Sequence, residues 1–262
     1  MNIVLDGKRA LVCGSTQGIG RASAIELAAA GAEVTLLARS PDRLAAVVGE
    51  LPVDHGQHHD SIAADFNDPE AVRKAVQAAL DPDRPYHILV NNTGGPRGGP
   101  AMDADPAVFE LAFRAHVVCN QILATLLVPG MKGAGYGRII NIISTSVKQP
   151  IAGLGVSNTI RGAVASWAKT LAGELGPFAI TVNNVLPGFT DTARLEELFK
   201  ARAERTGRTL DEVRAEAIAG IPAGRLAEPA ELGAAVAFLA SPAAGYINGI
   251  NLPVDGGRLS TL

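Results

Sequence analysis

Ala10-Leu-Val-Cys-Gly-Ser-Thr-Gln-Gly-Ile-Gly-Arg-Ala22 carries the plainest architectural signal in the chain. An apolar run, Ala10 to Cys13, breaks at Gly14 and passes Gly18 and Gly20 before Ile25, Leu27 and Ala28 recur at helical spacing. Strand, tight turn and helix follow one another. Gly14 lets the chain turn, Gly18 lets backbone approach a phosphate, and Gly20 lets helix and strand pack. The free N–H groups and dipole at the helix start then attract an anion, so the loop reads as a pyrophosphate cradle.

Working outward, strand-like and helix-like stretches alternate along all 262 residues, with no internal repeat or linker. That pattern predicts one domain over 1–262, of α/β class: a doubly wound, seven-stranded parallel sheet of Rossmann type with helices on both faces. The formal charge of −3, with Lys and Arg scattered, offers no basic field for nucleic acid and favours a small-molecule partner. Cys13 and Cys119 read as buried thiols, which suits a reducing, cytoplasmic setting. Met1 to Gly7 carries charge where a leader needs an apolar core, and no apolar run is read as membrane-spanning.

Gly31 closes the first helix, and Glu33 to Ala38 reads as the second strand. Arg39 follows it, where an acidic residue would hold ribose hydroxyls and an Arg suits a 2′-phosphate; this favours NADP over NAD, against a solvated Arg at a helix start. Ser40-Pro41 opens a helix, and Ser61 to Ala64 is a strand ending at Asp65, which contacts adenine or caps a turn. His55, His58 and His59 have no ligand-like spacing and read as a solvated loop, so no metal site is expected. His87 to Val90 delivers Asn91-Asn92-Thr93-Gly94-Gly95 to a strand end, a ligand site or a plain turn. A helical stretch runs from Asp105-Pro106 through Met131 and places His116 and Asn120 on one face. Arg138 to Ile143 ends at Ser144-Thr145-Ser146, a helix runs from Gly155 to Gly176, and Thr181 to Leu186 ends at Pro187-Gly188. Phe189 to Gly220 is a charged helical excursion read as a substrate lid, fit for an apolar substrate or one with an anionic handle. Broad apolar faces on the helices at 106–131 and 155–176, Trp167 included, predict a homo-oligomer, tetramer or dimer.

Together, Gly14-x-x-x-Gly18-x-Gly20, Asp65, Asn91-Asn92-Thr93-Gly94, the Asn141 to Ser144 strand end, Pro187-Gly188 and Asp255-Gly256-Gly257 resemble the short-chain dehydrogenase/reductase family, close to its 3-oxoacyl-carrier-protein reductases. The resemblance implies hydride transfer between NADP and a carbonyl or alcohol. It implies cofactor contacts from Gly14, Ser15, Gln17, Gly18, Ile19 and Gly20 in the first loop, and from Arg39, Asp65 and Phe66 beside it. Asn91, Thr93, Gly94, Pro187, Gly188 and Thr192 complete the implied set.

The family polarises a carbonyl with Ser, donates the proton from the Tyr of a Tyr-x-x-x-Lys pair, and adds an Asn from the preceding long helix. Here Ser144 matches the serine, but the tyrosine position holds Ser157, the lysine position Arg161 and the asparagine position His116. An aliphatic hydroxyl is a far poorer acid than a phenol, and a guanidinium keeps its proton. His116 is therefore expected to supply the proton near neutrality, relayed through Ser157 and water, while Ser144 binds the developing oxyanion. The alternative is a catalytically impaired, NADP-binding regulatory or scaffold protein of the same fold.

Overall fold

Seven apolar runs pair as parallel strands in the computed structural model, which describes residues 3–261. Met1, Asn2 and Leu262 lie outside the described residues, so the reading of Met1 to Gly7 is followed only from Ile3 onward. The strands are β1 (Arg9–Cys13), β2 (Glu33–Ala38), β3 (Asp60–Ala63), β4 (Ile88–Asn91), β5 (Gly137–Ile142), β6 (Ile180–Pro187) and β7 (Asn251–Val254), in the spatial order β3-β2-β1-β4-β5-β6-β7. β4 and β5 are buried throughout, which is why they read as apolar runs without alternation.

The helices are α1 (Gly18–Ala29), α2 (Pro41–Val48), α3 (Pro69–Ala78), α4 (Pro106–Phe113), α5 (Cys119–Ala134), α6 (Gly155–Leu175), α7 (Ala193–Thr206), α8 (Leu210–Ala219) and α9 (Pro229–Ala240). Successive residues of a strand feed opposite layers. Val12, Val90 and Ile140, side by side in register, pack under α1, α2 and α9, while Leu11, Leu89 and Ile139 pack under α3, α5 and α6. Each such buried side chain contributes on the order of 2 kcal/mol.

Local signals set several boundaries. Asp68 caps α3 by accepting hydrogen bonds from the Glu70 and Ala71 N–H groups at 3.1 and 3.0 Å. Gly31 follows α1 with φ +99°, a left-handed conformation that suits glycine. Thr209 and Glu212 form a reciprocal capping box at the start of α8.

One expectation is corrected: the continuous helical stretch Pro106–Ala134 is long and apolar enough, by length and composition, to cross a membrane. Half of its most apolar window is buried in the fold, with Leu123, Leu127 and Met131 packed against the sheet. Between α4 and α5 the same stretch is broken by a π-helical turn, Arg114–Val118, which carries His116.

β1 and β4 are neighbours although a whole α–β–α–β–α run separates them in sequence, so the chain winds outward from this pair in both directions. The loops after them diverge, and the crevice between is where such a sheet binds ligands. The excursion between β6 and α9 folds as α7 and α8 around a small core of its own, formed by Leu195, Phe199, Val213 and Ala217.

Candidate active site

The loops after β1, β2, β3, β4, β5 and β6 open onto one cleft of about 630 Å³, roofed by α7. Its floor is the glycine loop. Gly14 has φ +57° and a Cβ there would stand 2.5 Å from the Asn92 carbonyl oxygen. Gly18, φ +55°, faces Thr192, whose methyl would lie 3.2 Å from a Cβ. The loop is thin because anything larger would fill the cradle. Asn92 fastens it to the end of β4, its amide donating to the carbonyls of Cys13 and Gly14 at 3.3 and 3.2 Å.

α1 opens on this floor with no side-chain cap at Gln17 and no acidic residue in its first turn. Its free N–H groups and dipole are left for an anion brought by a ligand. Beside it, Arg39, Ser40 and Arg43 line the cleft with Asp65 and Phe66; both arginines are exposed. Two guanidinium groups flanking a hydroxyl suit a phosphate monoester better than a bare ribose. The cradle, the uncapped helix start and this pair together fit a phosphorylated dinucleotide such as NADP.

Of the residues expected at the cofactor, Gly14, Gln17, Gly18, Ile19, Arg39, Asp65, Phe66, Thr93, Gly94, Pro187, Gly188 and Thr192 line the cleft. Ser15, Gly20 and Asn91 are not among the residues lining it. Ser15 is fully buried, and a Cβ on Gly20 would meet the Gly14 carbonyl at 2.2 Å, so that glycine serves helix–strand packing. Asn91 begins an amide ladder across the sheet, donating to Asn141 at 2.8 Å; Asn141 donates to Asn184 at 2.9 Å and Asn184 to Asn251 at 2.8 Å. No ligand-like cluster of His, Cys, Asp or Glu occurs among the described residues. The His59 ring is instead engaged with the Val34 N–H and the Pro52 carbonyl, and His55 pairs with Asp6.

At the far end Ser144, Ser157 and Arg161 share the lining. Ser144 follows β5 and its hydroxyl oxygen accepts the Ser146 N–H at 3.0 Å. Ser157 and Arg161 are one turn apart on α6. The Arg161 guanidinium donates to the carbonyls of Ile142, 3.0 Å, and Thr93, 3.3 Å, which ties α6 to the ends of β5 and β4. Burial, reinforced by the nearby positive charge of Arg194, lowers its pKa to about 10, so it stays charged at neutral pH.

His116 is absent from this lining. It is 3% exposed and borders a small separate void with Asn91, Asn120 and Asn141, behind Arg161. Its Nε2 lies 3.1 Å from the Gly94 carbonyl oxygen. Burial and the Arg161 charge drive its pKa down to about 3. The ring is neutral at pH 7 and its Nε2–H donates to Gly94, so the expectation that it titrates near neutrality and supplies the proton is corrected. The sequence reading also passed over Ser40, Arg43, Arg194 and Arg258, all of which line the cleft. Arg43 sits one turn beyond Arg39, a spacing that marks the pair.

The sequence profile described as enoyl-(acyl carrier protein) reductase matches residues 14–258. The short-chain reductase NovJ of Streptomyces niveus is 34% identical over 251 residues, covering 95% of this chain and 93% of that protein. The 3-oxoacyl-[acyl-carrier-protein] reductase FabG of Vibrio cholerae is 34% identical over 253 residues, covering 97% and 98%. The L-sorbose reductase of Gluconobacter frateurii, solved with NADPH and L-sorbose, superposes with a TM-score of 0.90 at 32% identity over the whole of both chains.

Proposed function

The chain belongs to the short-chain dehydrogenase/reductase family of oxidoreductases, and from that premise we propose that it is NADP(H)-dependent and interconverts a carbonyl compound and its alcohol without a phenolic acid. When bound, the cofactor supplies or accepts the hydride. Everything else falls to this chain. The cradle of Gly14 and Gly18 and the open start of α1 hold the pyrophosphate, and Arg39 with Arg43 holds the 2′-phosphate. The NADPH-bound structural relative supports the same cofactor choice.

The observation that carries the catalytic reading is the joint lining of one cleft end by Ser144, Ser157 and the buried cation Arg161. Ser144 and Ser157 donate their hydroxyls to the substrate oxygen. Arg161 places a fixed positive charge where negative charge develops on that oxygen, an electrostatic contribution strengthened by its burial. The proton that completes the alcohol comes from water through the Ser157 hydroxyl. His116 holds the Gly94 carbonyl and so the loop after β4. The lid, Phe189 to Gly220, covers the substrate through α7.

Within this reading the protein works in the cytoplasm as a homo-oligomer. Its thiols are free and buried, and Val108, Leu111 and Phe113 leave apolar surface exposed along one helical stretch. A monomeric mass in light scattering contradicts that part. The main test is a panel of ketones and aldehydes mixed with protein and NADPH or NADH, followed by loss of reduced-nicotinamide absorbance. NADPH consumption with at least one class supports the proposal; tight NADPH binding with no consumption across the panel makes the protein a cofactor-binding regulator instead.

A further inference from the structure

The cleft is positively charged in a chain whose net charge is negative. Arg39, Arg43, Arg161, Arg194 and Arg258 line it against a single acid, Asp65. The phosphates of a dinucleotide account for Arg39, Arg43 and the start of α1. They do not account for the far end.

There, two guanidinium groups converge. A Cβ on Gly95 would stand 3.6 Å from Arg161 Nη2 and 3.7 Å from Arg194 Nη2. Arg161 is 9% exposed and has no carboxylate within 4 Å among the described residues; it donates to two backbone carbonyls. A guanidinium has five N–H donors, and a buried cation without a counter-charge is expensive to keep. Arg194, at the start of α7, donates to the Pro96 carbonyl and faces Glu197 at 3.4 Å. The Glu197 charge offsets one of the two arginines. One positive charge remains uncompensated beside Ser144 and Ser157.

Apolar surface surrounds that charge. Leu154 and Leu198 meet over Gly98, where a Cβ would lie 3.5 and 3.6 Å from their methyl carbons, and Ile151 and Leu195 extend the wall. A ligand completing this end needs a single negative charge of planar, two-oxygen form for the paired guanidinium forks, joined to an apolar body.

We propose that the substrate is a carbonyl compound bearing a carboxylate, held between Arg161 and Arg194 with its apolar part against Leu154 and Leu198. This rests on the carbonyl–alcohol reading above, and the test separates the two. Protein loaded with oxidised NADP, which cannot reduce them, is titrated by calorimetry with 2-oxo acids of increasing chain length, with their methyl esters, and with phosphate monoesters of matched length. Turnover is measured in parallel. The acids are expected to bind about tenfold or more tighter than the esters and the phosphate monoesters. Arg194→Gln is expected to abolish the preference for acid over ester, and Arg194→Lys to keep part of it, with NADPH affinity unchanged in both. Esters that bind as well as acids overturn the proposal on the native protein alone, as do phosphates that bind tighter than acids. Selective acid binding without NADPH consumption keeps the carboxylate site at Arg161 and Arg194 and sinks the redox reading; consumption with neutral ketones and no acid preference does the reverse.

Discussion

At the adenosine end of the cleft Arg39 and Arg43 stand exposed beside an uncapped helix start; at the opposite end Arg161 is buried, and its hydrogen bonds join α6 to two strand ends. Both ends present positive charge, but only the second is built into the fold. Exposed charge is set by the ligand it meets and can be exchanged with small effect on stability. Buried charge holds neighbouring carbonyls in place, so changing it alters structure and chemistry together. In the proposed function the near end therefore selects a cofactor, and the far end determines whether anything is done with it.

The largest break in that comparison is expected from Arg161→Met. Removing the charge should lower turnover by roughly 10²–10³, the usual cost of losing one electrostatic stabiliser of a developing oxyanion. It should also strip the donors from the Ile142 and Thr93 carbonyls, costing on the order of 1–3 kcal/mol in a denaturant titration. Arg161→Lys keeps charge without the fork and should fall between. Unchanged turnover in Arg161→Met removes it from the chemistry.

Gly14→Ala tests the cradle. The added Cβ lies 2.5 Å from the Asn92 oxygen at a φ of +57°, so NADPH affinity should drop by at least about tenfold and the melting temperature should fall. Changing Arg39 and Arg43 together to Gln sharpens the contrast from the other side. The ratio of NADPH to NADH affinity should fall by about 10–100-fold with little change in melting temperature. A large loss of stability would show that the near end is not a surface device.

The last effect is a slope. The His116 pKa falls from an unfolded value of 6.5 to about 3 in the fold, so the unfolded chain binds a proton that the folded chain refuses. Stability should therefore decline as pH drops below about 6.5, by up to ~1.4 kcal/mol per pH unit from this residue, and level off only near the folded value. Half-buried His87, lowered to about 4 by burial and by Lys8 and Arg9, acts in the same direction. His116→Asn should flatten the decline in urea titrations run across that range.

The two ends also differed in how far they could be read from sequence. The cradle is local: strand, glycines and helix lie within Arg9 to Ala29, and β2 spans Glu33 to Ala38 as its composition suggests. Arg39 follows directly. The far end is assembled from segments distant in the chain. Its residue positions were legible through the resemblance, but their electrostatics were not, because the pKa of His116 depends on burial behind Arg161. The π-helical turn at Arg114–Val118 left no mark in composition. Asn91 is expected at the ligand and Asn141 only as part of a strand end; the register of β4 to β7 shows that they bond to each other and onward to Asn184 and Asn251.

In the proposed chemistry a permanently charged guanidinium, with no side chain titrating near neutrality, serves the reacting oxygen. The most direct test of that chemistry is the pH dependence of single-turnover hydride transfer from bound NADPH, in stopped flow, with a carbonyl substrate drawn from the panel. With His116 at about 3 and Arg161 at about 10, the rate should be flat between about pH 5 and 9. An inflection between about pH 6 and 7 that disappears in His116→Asn would contradict the account and return the histidine to the role of acid.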